Sequence, residues 1–315
     1  MRIRIGHLST FFHTSLLLMA GSGVDERLGA EVEWRLFGTG PAVVNSFEEG
    51  ELDLAYIGLP PAVIGISRGV GIICVAGGHM EGTVISGKRE LLAFPEDHNL
   101  GSILRQLTGK KIGVPGKGSI HDVIVSDCLA RFGLVKRIEI VHFPWADQVL
   151  EAMVKGEVWA AVGTPALAVA VRTYADAKIL YPPSRLWPHN PSYGILVDKT
   201  FLHRHKELVE KFLILHEEAT ALIRKNPRKA AQRISDLVGF IDPDFVLETL
   251  RVSPKYCSRL TQEYISATME FAATLRRLGY TSRDVSASEI FDTSLITKIH
   301  PEKDHYGEGI ADDGP

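Results

Sequence analysis

The sequence predicts an α/β protein of two lobes, each holding a mixed but mostly parallel sheet, with a ligand cleft between them. Three observations lead there. Short apolar runs alternate with helical patterns from the first residues, a polar stretch from Ser86 to Asn99 interrupts that rhythm before it restarts near Lys111, and one helix, strand and helix unit is echoed further along the chain.

In the first series the apolar spacing predicts a strand over 3–7, a helix over 14–28, a strand over 31–37, a helix over 41–49, a strand over 52–57, a helix over 60–68 and a strand over 71–76. Strands joined by such crossovers pair in parallel. The second series predicts a strand over 111–114, a helix over 119–132, a strand over 137–142, a helix over 145–155, a strand over 157–162 and a helix over 165–175.

Crossings between lobes are expected near 80–86 and 190–197. Residues 1–83 and 194–285 then form a discontinuous first lobe, 84–193 the second, and 286–315 a C-terminal extension. Beyond 197, Leu208, Phe212, Leu215, Ala219 and Leu222 fall at helical spacing, and a further amphipathic helix is expected over 261–278, these helices buttressing the lobes from outside. The polar tail from His300 to Pro315 is expected to fray.

The echo pairs VNSFEEGELDLAYIGLPPA, from Val44 to Ala62, with LEAMVKGEVWAAVGTPA, from Leu150 to Ala166. Each reads as a helix, a Gly-Glu turn, a buried strand and a Gly-x-Pro helix start. Glycine after a helix and proline at the next helix start are punctuation common to α/β units, but two similar lobes account better for the shared order.

Composition narrows the function. With 315 residues, 45% of them hydrophobic, the chain is long enough for a sizeable core in each lobe. Lys and Arg number 35 against 38 Asp and Glu, for a net charge of −3, so there is no basic excess to neutralise phosphates and no nucleic-acid partner is expected. Cys74, Cys128 and Cys257 are scattered, odd in number and lack a Cys-x-x-Cys spacing, which fits a reduced compartment or core packing.

The apolar stretch from Phe11 to Ala20 follows Arg2 and Arg4 and invites a signal-peptide reading. Cleavage there would remove Ile3-Arg4-Ile5-Gly6-His7, whose alternation makes an opening strand, so Met1 is read as the mature N-terminus. On that reading the chain is cytoplasmic as it stands, or periplasmic or extracellular if an export signal has been trimmed from it. No run reaches the ~20 consecutive apolar residues of a membrane span.

In open α/β sheets ligands bind beyond the carboxyl ends of strands, where helix N-termini offer free N–H groups. Such ends are Gly6-His7-Leu8-Ser9-Thr10, Gly38-Thr39-Gly40-Pro41, Tyr56-Ile57-Gly58, Pro115-Gly116-Lys117-Gly118-Ser119 and Gly163-Thr164-Pro165. Ser119 is a fair N-cap, and Lys117 could meet an anion. Any one of these could be a plain tight turn. Their number at successive strand ends points to a cleft. Gly38 to Gly40 lacks the third glycine of a dinucleotide fingerprint, and Gly116 to Gly118 lacks the Gly-Lys-Ser/Thr order of a P-loop, so neither nucleotide motif is predicted.

Gly38-Thr39-Gly40-Pro41, the run from Gly50 to Gly58, the strand from Gly109 to Val114 and the run from Pro191 to Val197 together resemble, over residues 3–225, the nitrate, sulfonate and taurine binding proteins of ABC importers. The resemblance implies a type II periplasmic-binding-protein fold, a ligand held between hinged lobes, no chemistry performed, no cofactor, a monomer, and an ABC importer permease as partner. It implies a ligand shell of Ser9, Thr10, Thr39, Gly40, Tyr56, Gly78 and His79, faced by Lys117, Ser119, Thr164 and Ser192. Trp145 and Tyr193 could add an aromatic wall or simply pack in the core.

His7, His79 and His121 fall at expected cleft positions, but no paired spacing supports a metal site. Lys117 and the helix ends favour an anion such as a sulfonate or carboxylate, whereas an aromatic wall would favour a pyrimidine-like heterocycle. An enzyme on the same fold is the alternative, similar to the menaquinone-pathway enzymes or the thiamine-pyrimidine synthases. The synthases require a lysine and a histidine after the third strand and clustered cysteines, where this chain has Ile57-Gly58-Leu59-Pro60-Pro61-Ala62 and three scattered thiols. No Gly-x-Ser-x-Gly elbow is present, and no catalytic residue is assigned.

Overall fold

The computed structural model describes residues 1–311 apart from Ser9 and Ser22. The chain opens on β1 (Arg2–Leu8), whose Ile3 and Ile5 are fully buried, and β1 pairs in parallel with β2 (Glu31–Phe37). The helix expected over 14–28 is two, α1 (Thr14–Ala20) and α2 (Val24–Leu28). Glycine is a poor helix interior, and Gly23 takes a left-handed φ of 82° between them. Then follow α3 (Gly40–Glu48), β3 (Leu54–Ile57), α4 (Leu59–Arg68) and β4 (Ile72–Met80).

Past β4 the chain enters a second sheet with β5 (Val84–Lys88), followed by α5 (Leu100–Arg105), β6 (Lys111–Pro115), α6 (Ile120–Arg131), β7 (Glu139–Phe143), α7 (Ala146–Val154), β8 (Ala160–Gly163), α8 (Pro165–Tyr174), β9 (Ala177–Tyr181) and α9 (Pro183–Leu186). It returns to the first sheet with β10 (Pro191–Asp198). Neither β5 nor β9 is predicted from the sequence. Both are short and adjoin polar segments, and β5 takes its hydrogen bonds from β8 and β9, partners distant in sequence.

The two sheets share one plan. The first has the order β2-β1-β3-β10-β4 and the second β7-β6-β8-β5-β9. In each, one strand runs antiparallel between two others: β10 between β3 and β4, and β5 between β8 and β9. That strand is always the first one laid down after the chain changes sheets. The echoed sequences are α3, β3 and α4 in one sheet and α7, β8 and α8 in the other, so they occupy equivalent places.

The remaining helices are α10 (Lys199–Arg204), α11 (Lys206–Lys225), α12 (Pro227–Val238), α13 (Pro243–Val252), α14 (Gln262–Arg277), α15 (Ala287–Ile290) and α16 (Ser294–Ile299). Phe212 and Leu213 on α11 are fully buried, while α13 packs against α8 and α14 against both α4 and α6, so these helices touch elements of both halves. The tail is not frayed where it is described. His300 and Tyr306 are buried, and the Tyr306 hydroxyl donates to the carbonyl oxygens of Cys257 (2.7 Å) and Arg259 (3.0 Å), which pins residues that look merely polar in sequence. Among the described residues no helix is long and apolar enough to cross a membrane.

Candidate functional site

The parallel strands β1, β2, β3, β6, β7 and β8 all end at one cavity of about 50 Å³, walled by residues that follow each of them. The first half contributes Thr10, Phe12 and His13 after β1, Gly38 to Gly40 after β2, and Gly58 and Pro61 after β3. The second contributes Pro115, Ser119, Ile120 and His121 after β6, Ala146 after β7 and Thr164 after β8. Gly82 comes from the segment between β4 and β5, and Ser192 from the start of β10, where the chain re-enters the first sheet. This is where an open α/β sheet places a ligand, here doubled by two sheets facing one another.

Local chemistry fixes most of the hydroxyls. Thr39, Ser119 and Thr164 are N-caps of α3, α6 and α8 and accept the N–H groups of Ala42, Asp122 and Leu167. Ser192 Oγ accepts the N–H of Gly82. A side chain at Gly82 would lie 2.7 Å from that oxygen and 3.0 Å from His79 Nδ1, so only glycine fits between them. By contrast, Thr10 Oγ1 and His13 Nδ1 are buried without a hydrogen-bond partner. On the opposite wall, His121 Nδ1 pairs with Thr83 Oγ1 at 3.0 Å.

Among the described residues no Asp, Glu, Lys or Arg side chain lines the cavity. Burial pushes His13 well below the ordinary histidine value, helped by the surrounding imidazoles, and pushes His121 down to about 4 against the opposing pull of Asp122. Both rings are therefore neutral at physiological pH. Just behind His121, Asp122 accepts from His142 Nε2 (2.7 Å), Tyr280 Oη (2.6 Å) and the N–H of Gly118 (2.7 Å). Burial pushes this carboxyl up, but the hydrogen bonds outweigh it and hold it below the usual carboxylate range.

The lips are built from glycines in van der Waals contact across the gap. A Cβ on Gly38 would fall 2.4 Å from Pro144 O and 2.8 Å from the Trp145 ring, and one on Gly116 would fall 2.6 Å from Thr39. These contacts join the loop after β2 to the loops after β6 and β7, so the structure is of a closed cleft.

Of the residues expected from sequence, Thr10, Thr39, Gly40, Ser119, Thr164 and Ser192 lie on the cavity wall. Ser9 lies outside the described residues. Four others sit elsewhere. Tyr56 is fully buried among His13, Tyr193, Phe212 and His216, because alternation along β3 turns it into the core. Gly78 leaves room for the Tyr193 ring, 2.0 Å from where its Cβ would be. His79 is behind the wall and pairs through Nε2 with the Ser253 carbonyl. Lys117 borders an outer groove with Arg68 and Tyr280 instead of the cavity.

Tyr193 is core, and Trp145 packs at the lip. Sequence reasoning missed Phe12, His13 and Gly82. His13 is the N-cap residue of α1, so a polar residue between the first strand and its helix was the available signal. Nothing local marks Gly82, whose role depends on His79 and Ser192. Among the described residues no three His, Cys, Asp or Glu side chains come together to hold a metal.

Residues 1–238 match the model of the NMT1-like family. The chain belongs to that family. Among curated relatives it is 26% identical over 192 residues to the taurine-binding periplasmic protein of Escherichia coli (strain K12), a match covering 58% of this chain and 55% of that one. Among solved structures, the alkanesulfonate-binding protein SsuA from Xanthomonas axonopodis pv. citri bound to MOPS superposes with a TM-score of 0.78 at 18% identity, covering 92% of this chain and 98% of that one. The periplasmic nitrate-binding protein NrtA from Synechocystis PCC 6803 does so with a TM-score of 0.75 at 14% identity, covering 95% and 88%. This NMT1-like chain has the two-lobed periplasmic-binding-protein fold of those structures, mixed sheets included.

Proposed function

We propose that the protein is a solute receptor that closes two lobes on one compact polar molecule and presents it to the permease of an ABC importer. The observation that carries this reading is the convergence of six parallel strand ends, three from each sheet, on one cavity whose Thr10 and His13 hold buried polar atoms without partners. Burying such groups is costly unless something bonds to them. Lobe one is assigned residues 1–83 and 194–285, lobe two residues 84–193, and 286–315 an extension whose helices α15 and α16 pack on β4 of lobe one. The shell consists of Thr10, His13 and Thr39 facing Ser119, His121 and Thr164, with Ser192 at the return crossing beside them. Closure around the solute excludes water and strengthens each hydrogen bond.

Native mass spectrometry of the protein purified from cells, followed by a denatured run, tests this. One small organic molecule per chain, unchanged on release, is the expected result. A molecule recovered together with its altered product, or no bound molecule under any growth condition, would overturn it.

A further inference from the structure

The cavity confronts its occupant with neutral groups alone. Among the described residues its wall contains two imidazoles, five hydroxyls, apolar side chains and backbone, and no cation. Three of the helix starts at the cavity are depleted of donors: Pro41 lies in the first turn of α3, Pro60 and Pro61 in that of α4 and Pro165 in that of α8, each removing an N–H, while α1 and α6 start without a proline. The capping hydroxyls of Thr39, Ser119 and Thr164 consume a further N–H apiece. Lys117, the cation nearest in sequence, borders the outer groove instead.

A neutral imidazole always presents one donor and one acceptor nitrogen. Thr83 already meets His121 Nδ1, but His13 Nδ1 has no partner, so at His13 an anionic oxygen, which only accepts, would leave the acceptor nitrogen unmatched, and a buried charge without a counter-charge is heavily penalised. We infer that this cleft selects an uncharged compact solute bearing both a donor and an acceptor, of the amide class, against carboxylates and sulfonates. The inference rests on the cleft being the solute site. A cavity of about 50 Å³ holds roughly three water-sized groups, enough for a primary amide of a few non-hydrogen atoms in the closed state.

Charged isosteres supply the test. Isothermal titration calorimetry of the full chain with acetamide against acetate, and methanesulfonamide against methanesulfonate, should show the neutral member of at least one pair binding about tenfold tighter or more. Its affinity should be flat from pH 6 to pH 8.5. The groups facing the site are His13, surrounded by His7, His79, His121 and His216, and His121, with Asp122 beside it. An anion would instead bind more tightly as the pH falls, drawing a proton onto an imidazole. Tighter binding of either anion, or no binding of any of the four probes, overturns the inference.

Thr10→Val, nearly isosteric, should weaken the neutral probe about tenfold while leaving the melting temperature unchanged; unaltered affinity counts against the assignment. Failure here is distinguishable from failure of the receptor reading. If the probes fail and native mass spectrometry still finds one bound organic anion per chain, the cleft stands and only its charge preference falls.

Discussion

The two halves of the molecule share one strand order but fill it differently. The first sheet is packed with rings: Tyr56, Tyr193, Tyr256 and Tyr264 are fully buried, interleaved with His13, His79 and His216. The second is aliphatic and smaller in scale, with Ile112 and Val114 on β6 and Ala160, Ala161 and Val162 on β8. Unpartnered buried polar atoms are concentrated on the first side. Those of His7, Thr10, His13 and His79 lack partners on the first side; on the second Ser119, Thr164 and Asp122 are committed to local bonds, and Ser86 Oγ on β5 is without one. One topology therefore carries two linings: a polarisable wall with more bonding capacity to spare, and an aliphatic wall whose helix-start hydroxyls are already bonded.

Substitutions of fully buried residues on the two sides should expose this difference most. Tyr193→Ala removes a ring that touches Phe12, His13, Tyr56 and His79, and should cost about 3–5 kcal/mol by urea denaturation. Ile112→Val in β6 deletes one methylene and should cost only about 0.5–1.5 kcal/mol. Comparable losses would mean that the ring cluster is no more tightly packed than the aliphatic sheet.

Acid should separate the halves next. Burial lowers His13 well below the ordinary value, His79 to about 3 and His216 to about 4, all on the ring-filled side, against His121 alone at about 4 on the other. A histidine whose folded value is depressed favours the folded state in its neutral form. Its contribution is complete above about pH 6.5 and is lost as the pH falls toward the folded value, about 2 kcal/mol per group by pH 5. Asp122 has the same sign but acts only below about pH 4, where its carboxyl protonates in the unfolded chain. Between pH 6.5 and 4.5, amides of β1 and β4 should lose protection before those of β6 and β8, read by pulse-labelled exchange at a fixed labelling pH. Simultaneous loss would show one cooperative unit.

The same contrast explains what was legible in the sequence. The parallel strands and their helices carry periodicity within each segment, and the Gly-Glu and Gly-x-Pro punctuation around β3 and β8 marks two equivalent places. Hydroxyls at helix starts, such as Thr39, Ser119 and Thr164, were readable because capping is a local rule. What stayed hidden depends on distant partners. β5 and β9 exist through pairing with β8 and with each other, Gly82 through His79 and Ser192, and Tyr306 through Cys257. Tyr56, Gly78 and His79 are at or near strand ends as expected, but side-chain direction turns them into the ring core.

Closure should respond more modestly than folding. Gly38→Val places a branched side chain where Pro144 and Trp145 press on the loop after β2, so the lips cannot meet. Thr39→Phe does the same from the next residue, against Gly116. Each should lower affinity for the solute about tenfold or more, equivalent to about 1.4 kcal/mol, with an unchanged melting temperature for the empty protein. Unaltered affinity would show that binding does not require the lips to touch.

The smallest effect is expected where the halves are joined by charges in water. Arg172 on α8 pairs with Glu248 on α13, and both side chains are about half exposed. Solvent screening and the entropy of holding two long chains limit such a pair to about 0–1 kcal/mol. Arg172→Ala should therefore leave both solute affinity and urea midpoint nearly unchanged, and any small loss should vanish at 0.5 M salt, roughly. The Tyr280 hydroxyl, by contrast, reaches from the segment after α14 to the buried Asp122 of α6, where water does not compete. Tyr280→Phe removes one donor from a charged acceptor and should cost about 1.5–3 kcal/mol. If Arg172→Ala proves the more damaging of the two, the halves are held by surface charge and not by the buried bond.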